Sequence, residues 1–273
     1  MLLLAACTTP APVDSALPDT CNGHAELCDR PFDTVTLAGT HNSMSNRDDG
    51  WQIPNQPHPL ARQLDDGVRA MLLDTHDWDG EAYLCHGYCE LGATPLVEGL
   101  GVIRAFLDEH RGEVMAFIVE NGISAEDTAA AFAASGLDRY VYTWDGGAWP
   151  TLGEMIAADT RLLVTAESGG PPPDWYQPAW GLYVDTPYDF ATVDDFTCDV
   201  NRGSLTNPLF LLNHWIADPL PSEAQAQEAN AETVLHGRAT ECAAAFGRNP
   251  NIVAVDWYTA GDLFGVVDRL NGL

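Results

Sequence analysis

The sequence predicts a single-domain α/β protein, a (β/α) barrel of the TIM type. Three observations carry that prediction. Short apolar runs alternate with amphipathic stretches along most of the chain, the pattern of βα units on a parallel sheet. At 273 residues and 46% hydrophobic content the chain suits one substantial core, and α/β barrels routinely reach this length as one domain. No glycine-rich dinucleotide fingerprint follows a strand, which separates the barrel from a Rossmann sheet.

Taken in order, the first expected strand is Thr34 to Ala38, which runs into the turn Gly39-Thr40 and presents His41 and Asn42. Ala70 to Asp74 follows and ends on a carboxylate; Leu84-Cys85-His86-Gly87 then closes a short apolar run on a second histidine. Leu96 to Glu109 repeats apolar residues at helical spacing, Val114 to Glu120 reads as a buried strand, and Ala125 to Ser135 as the next helix. Further strands are expected at Arg161 to Ala166, Gly181 to Val184, Leu209 to Asn213 and Ile252 to Asp256. Between the last two, Ser222 to Phe246 is rich in Ala, Glu and Gln and reads as one helix with Ser222 as its cap.

In a barrel of this kind the C-terminal strand ends converge on one site. The residues expected there are His41, Asn42, Asp74, His86, Glu120, Asn121, Glu167, Asn213, His214 and Asp256. Two histidines and several acids at successive strand ends point to proton-transfer chemistry. Asp74, Glu120 and Asp256 terminate apolar runs, where a buried carboxylate without a partner is costly, so positive charge is expected among them. His24, His58, His110 and His236 lie in polar or helical contexts and read as structural.

Twelve basic against 40 acidic residues give a formal charge of −28, which repels nucleic acid and anionic surfaces in bulk. Any anionic substrate must meet a local exception, and a bound divalent cation would be one. Residues 1–20 read as a lipoprotein signal remnant and flexible tether ahead of the barrel at 21–273. Leu4-Ala5-Ala6-Cys7 resembles a lipobox, with Cys7 as the lipidated membrane anchor, although the basic n-region is missing. The expectation is an exported monomer, a bacterial cell-envelope lipoprotein or a secreted protein. Six further cysteines argue for disulfides, and proximity favours Cys21 with Cys28, Cys85 with Cys89 and Cys198 with Cys242. A metal cluster at Cys85-His86-x-x-Cys89 is the rival reading, but no nearby spacing supplies more soft ligands.

With these residues in place, the chain resembles the phosphatidylinositol-specific phospholipase C X-domain family, the phospholipase C-like phosphodiesterases built on a distorted TIM barrel. The likeness runs from about Phe32 to Gly272. It rests on Gly39-Thr40-His41-Asn42-Ser43, Gln63-Leu64-x-x-Gly67-Val68-Arg69-Ala70-x-x-Leu73-Asp74, Leu84-Cys85-His86-Gly87 and Phe117-Ile118-Val119-Glu120-Asn121. The resemblance implies that His41 is the general base on the inositol 2-hydroxyl and His86 the general acid on the departing diacylglycerol oxygen, with Asp256 orienting His41. It also implies a Ca²⁺ site, or one for Mg²⁺, at Asn42, Asp74 and Glu120. The family's other second-strand acid is replaced by Leu72, with Asp77 or Asp79 as substitutes, and the arginine that metal-independent bacterial members place at position 74 is absent.

Arg69, Asn213 and Glu167 are expected to contact substrate, Arg69 also being readable as a structural ion-pair partner. The stretch Leu162 to Glu167 has no lysine, so a polyphosphorylated head group is not expected. The implied function is cleavage of a phosphodiester in a phospholipid or glycolipid. The rivals are a metal-dependent glycerophosphodiesterase or sphingomyelinase-D-like enzyme, and a non-catalytic lipid-binding lipoprotein using Trp51, Trp78, Trp175, Trp180 and Trp215 to line a cleft.

Overall fold

The computed structural model describes residues 17–216 and 218–273, so Cys7 and most of the expected tether lie outside the described residues. The strands are β1 (Leu37–Thr40), β2 (Ala70–Trp78), β3 (Glu81–Leu84), β4 (Thr94–Pro95), β5 (Met115–Gly122), β6 (Val141–Tyr142), β7 (Leu162–Ala166), β8 (Gln177–Pro178), β9 (Tyr183–Asp185), β10 (Leu209–His214) and β11 (Ile252–Val255). The helices are α1 (Leu60–Asp66), α2 (Leu96–Glu109), α3 (Ala125–Ser135), α4 (Leu152–Ala157), α5 (Ala179–Leu182), α6 (Glu223–Ala229), α7 (Glu232–Phe246) and α8 (Leu263–Asn271).

The strands form one curled sheet in the order β6-β7-β5-β2-β1-β11-β10-β9, parallel along this path. Among the described residues no ladder joins β9 to β7 or β8, so the barrel is open at that seam. This is the distorted TIM barrel that the sequence predicts. Close approach of the neighbours requires Gly39: a Cβ there would lie 2.7 Å from Ile252 Cγ2 and 3.3 Å from Ala70 Cβ.

Two apolar layers follow from the period-two alternation of strands. Met71, Leu73, Phe117, Val119, Val164, Phe210, Leu212, Val253 and Val255 face outward and pack on Leu100 and Ile103 of α2, Phe132 of α3, Leu235 of α7 and Val266 of α8. Ala70, Ala116, Ile118, Leu163, Leu209, Leu211, Ile252 and Ala254 fill the inside, and Leu27 and Phe32 of the N-terminal segment pack there together with Leu152 and Met155 of α4.

Four boundaries differ from expectation. The first strand starts later, because Phe32–Thr34 makes a 3₁₀ turn after Pro31. The second runs on to Trp78 and folds back antiparallel on β3, so Asp77 and Asp79 sit at a hairpin turn, where Asp77 accepts from the Gly80 amide at 3.1 Å. They turn the chain and do not line the site. The Gly181 to Val184 run divides into the end of α5 and β9. The expected single helix breaks at Asn230, whose side chain donates to the Asp256 carbonyl at 2.9 Å, a contact that a continuous helix would forfeit.

All three expected disulfides are present, Cys21–Cys28, Cys85–Cys89 and Cys198–Cys242. The last links residues 44 apart, so its removal by paired serine substitution is expected to cost about 4 kcal/mol from loop-closure entropy. Urea denaturation checks this; an unchanged midpoint would contradict it.

Candidate active site

The inner face of every long strand ends in a polar residue. His41 follows Leu37 and Gly39; Asp74 follows Ala70 and Leu72; Glu120 follows Ala116 and Ile118; Glu167 follows Leu163 and Thr165. Asp185, Asn213 and Asp256 stand at the corresponding places after Tyr183, Leu211 and Ala254. The alternation that fills the barrel with apolar side chains therefore carries these residues together as its uppermost layer. His41, Asn42, Asp74, His86, Glu120, Glu167 and Asn213 line one cavity of about 550 Å³.

Register explains the first pair. Thr40 pairs with Val255, and His41 and Asp256 are the next residues on neighbouring parallel strands. His41 Nδ1 meets Asp256 Oδ1 at 2.9 Å, and Asn55 Nδ2 donates to both oxygens of that buried carboxylate, at 3.2 and 3.1 Å. Gln56 Nε2 donates to the His41 carbonyl at 2.7 Å, and Trp215 stacks on the imidazole with ring centroids 3.8 Å apart. With Nδ1–H held by a carboxylate, Nε2 carries the lone pair, the arrangement of a general base.

The second pair arises differently. His86 lies beyond the antiparallel strand β3, where Thr75 pairs with Leu84, and this brings His86 Nδ1 to 2.7 Å from Asp74 Oδ2. The hydrogen bond to Asp74 raises the His86 pKa above its ordinary 6.5, against the opposing pull of burial. His86 thus keeps its proton to higher pH, as a general acid requires. The two imidazole centroids are 6.4 Å apart, across the opening from each other.

A pH prediction follows from this shift. The alkaline limb of kcat/KM, where the acid loses its proton, is expected above pH 6.5, and Asp74→Asn is expected to move it down. A limb unmoved by the substitution would contradict the assignment.

Asp74 and Glu120 are register partners on β2 and β5. Burial and the neighbouring Asp74 charge raise the Glu120 pKa, while Asp74 itself is paired with His86. The Asn42 carboxamide lies 3.1 Å from Asp74 Oδ2 at one end and 3.2 Å from His41 Nε2 at the other. An amide oxygen and two carboxylates suit a hard cation, and in this respect Asn42, Asp74 and Glu120 fit the Ca²⁺ or Mg²⁺ expected. No cluster of three or more His, Cys, Asp or Glu side chains with metal-binding geometry occurs among the described residues, and Leu72 supplies an apolar wall below Asp74.

The substrate-contact set needs one correction. Arg69 is at the opposite end of the barrel, where its Nε donates to Glu113 Oε2 at 2.6 Å and its Nη1 to the Leu64 and Val68 carbonyls. It precedes β2, so it stands at the strand's start, and its ion-pair reading is the correct one. The cation in the site is Arg202, which sequence reasoning missed. Its Nη1 donates to Glu167 Oε1 at 2.9 Å, its Nη2 and Nε to Asp185 Oδ2 at 2.6 and 2.9 Å, and its guanidinium lies 3.8 Å from the Trp180 ring centroid. Arg202 bridges the seam that no strand ladder closes, and it lines the cavity. Asn213 is also there: its Nδ2 donates to Asp185 and Thr186, while Oδ1 is buried without a partner.

Of the tryptophans, Trp215 stacks on His41 and Trp180 lies under Arg202, whereas Trp175 packs on Phe132. A larger cavity of about 690 Å³ lies beyond Trp51, beside Trp78 and Leu60; Asp49, Glu90 and Glu98 line it, and among the described residues no histidine, lysine or arginine does.

Comparison with known proteins shows the family and the fold. The family model described as PI-PLC X matches residues 27–271. The chain belongs to the PI-PLC X family. Among its relatives, PI-PLC X domain-containing protein 1 of Arthroderma benhamiae is 29% identical, over 95% of this chain and 93% of that protein. An uncharacterized secreted protein of the same fungus is also 29% identical, and a PI-PLC X domain-containing protein of Arabidopsis thaliana 26%. The chain spans 62% and 63% of the lengths of these last two. The phosphatidylinositol-specific phospholipase C of Listeria monocytogenes has the same fold, with a TM-score of 0.58 at 17% identity over 94% of this chain and 97% of the other. A Staphylococcus aureus phosphatidylinositol-specific phospholipase C gives 0.59 at 14% identity, over 88% and 94%.

Proposed function

We propose that this PI-PLC X family member is a phosphoric diester hydrolase or lyase, acting on phosphatidylinositol or a related phospholipid by two-histidine acid–base catalysis. The observation that carries the reading is the pair of histidine–carboxylate dyads, Asp256–His41 and Asp74–His86, facing each other across one cavity. His41 Nε2 takes the proton from a hydroxyl of the polar alcohol as that oxygen attacks phosphorus. The bond from phosphorus to the leaving oxygen breaks, and the proton on His86 passes to that oxygen. A binding protein has no need of two oriented imidazoles with opposite proton roles.

The polar half of the substrate rests among Glu167, Arg202 and Asn213. The free Asn213 Oδ1 accepts from a hydroxyl, and Arg202 is the local positive charge that an anionic diester requires in so acidic a protein. Asn42, Asp74 and Glu120 would hold a divalent cation, Ca²⁺ or Mg²⁺, which when bound neutralises charge on the phosphate. Three disulfides and a secreted relative support export.

The test is head-group release from phosphatidylinositol, phosphatidylcholine and glycerophosphoinositol, with calcium and with chelator. Release from phosphatidylinositol that falls on chelation supports the whole reading. Full activity in chelator removes the cation, and no release from any of the three removes the phosphodiesterase.

A further inference from the structure

The buried stripe of α7 runs Leu235, Arg238, Ala239, Cys242 and Phe246, so a cation occupies a place where helical spacing puts an apolar side chain. Arg238 is 5% exposed. Its Nη1 donates to the Asn213 carbonyl at 2.7 Å and its Nη2 to the Thr197 carbonyl at 3.1 Å, while Phe196 and Phe190 cover the guanidinium with ring centroids 4.2 and 5.0 Å away. Among the described residues no carboxylate pairs with it, and its Nε is buried without a partner.

The histidine beside it does not relieve this charge. His214 Nε2 donates to the Ala229 carbonyl at 2.8 Å, which leaves Nδ1 as an acceptor 3.3 Å from Arg238 Nη1. Burial, with Arg238 alongside, pushes the His214 pKa down to about 3, so the ring is neutral. A buried cation without a counter-ion is costly, and a leucine would fill the same stripe without that cost. What the guanidinium alone supplies is a fork that holds two carbonyls at once.

Both carbonyls belong to walls of the active cavity. Asn213 ends β10 and lines the cavity, with its Oδ1 free. Thr197 lies in the loop between β9 and β10, which supplies Tyr188, Asn201 and Arg202 to the opposite wall. The Cys198–Cys242 disulfide ties the next residue of that loop to α7 one turn beyond Arg238, so the helix grips the loop at two successive positions. A few residues on, the Arg202 guanidinium lies between the Trp180 and Tyr188 rings, 3.8 and 4.9 Å from their centroids.

We propose that Arg238 is a positioning residue for the polar half of the substrate, which fixes Arg202 relative to Asn213 by clamping the loop at Thr197 to the end of β10. The proposal rests on the reading of Glu167, Arg202 and Asn213 as the seat of the polar alcohol and extends it to a side chain that touches no substrate. Without the clamp the loop and β10 move independently, and the two groups no longer meet the alcohol together.

The test compares kcat and KM for dihexanoylphosphatidylinositol in wild type, Arg238→Met and Arg238→Lys. The Met variant is expected to raise KM about tenfold with kcat within about threefold of wild type, and the Lys variant, which keeps the charge but not the fork, to fall between them. A merely structural role would remove folded molecules, lowering kcat at an unchanged KM; that result, or a Lys variant no better than Met, overturns the proposal. If Arg238→Met does not fold, Phe196→Leu takes its place, with KM expected to rise about threefold and an unchanged KM overturning the proposal. Hydrogen–deuterium exchange of the same variants gives a readout independent of turnover. The bonded amides of Phe196, Asn201 and Arg202 are expected to exchange about tenfold faster in the Met variant, with the rest of the barrel unchanged; equal exchange, or a uniform rise, overturns the clamp. Failure of the catalytic reading has a separate signature, since a wild-type protein that cleaves no phosphatidylinositol removes the phosphodiesterase while exchange still decides the clamp.

Discussion

Replacing His41 with alanine is expected to lower kcat by about 10²- to 10⁴-fold, and replacing His86 to do the same, with the fold intact. In the proposed mechanism His41 is the base, its Nδ1 2.9 Å from the buried Asp256, and His86 the acid, its Nδ1 2.7 Å from Asp74. Because both act in one proton relay, the double variant should lose much less than the product of the single losses. His41 is four-fifths buried by its stack on Trp215 and by its neighbours, so thermal unfolding of each variant is to be measured beside its rate. A variant that keeps its melting temperature and turns over at the wild-type rate would contradict the mechanism.

The second large effect is on stability. Arg202→Met is expected to destabilise the protein by about 3 kcal/mol, because it removes the charged partner of a buried carboxylate and leaves it only the Arg202 backbone amide and side-chain amides. Asp185 is fully buried and accepts from the Arg202 backbone amide at 2.6 Å, from its Nη2 at 2.6 Å and from its Nε at 2.9 Å. The side-chain bonds cannot be replaced by a thioether, and the seam between β7 and β9 loses the bridge from Asp185 to Glu167. Arg202→Lys is expected to recover part of the loss, since an ammonium keeps the charge without the planar fork. Denaturant midpoints measure both; a Met variant within about 1 kcal/mol of wild type would contradict the bridging role.

The legible part of the site is the part that strand periodicity controls. Once Leu37, Ala70, Ala116, Leu163, Leu209 and Ile252 are taken as inward-facing, the period of two brings His41, Asp74, Glu120, Glu167, Asn213 and Asp256 to one level. Arg202 has no such signal. It comes from the loop after β9, 17 residues beyond Asp185, and only the folded path of that loop brings it back over the strand end. Arg69 misled for the opposite reason, since a basic residue beside a strand motif attracts a phosphate reading although it marks the strand's beginning. The end of the helix α6 at Ala229 was equally hidden, because the sequence stays helix-favouring and the break is fixed by the long-range bond from Asn230 to Asp256.

The acidic composition also takes on a local meaning. Asp74, Glu120, Glu167, Asp185 and Asp256 all cap the inner face of the barrel, and the side chains paired with four of them are His41, His86 and Arg202. Among the described residues Glu120 has no ion-pair partner, and burial and the Asp74 charge raise its pKa, as burial also raises that of Glu167.

Phosphorus NMR of phosphatidylinositol in mixed micelles, incubated with the purified protein and calcium, tests the central claim most directly. A cyclic inositol phosphate signal is expected to grow with wild-type protein and to be absent on the same timescale with His41→Ala or His86→Ala. A spectrum unchanged by wild-type protein, or the same signal at the same rate from either variant, would contradict it.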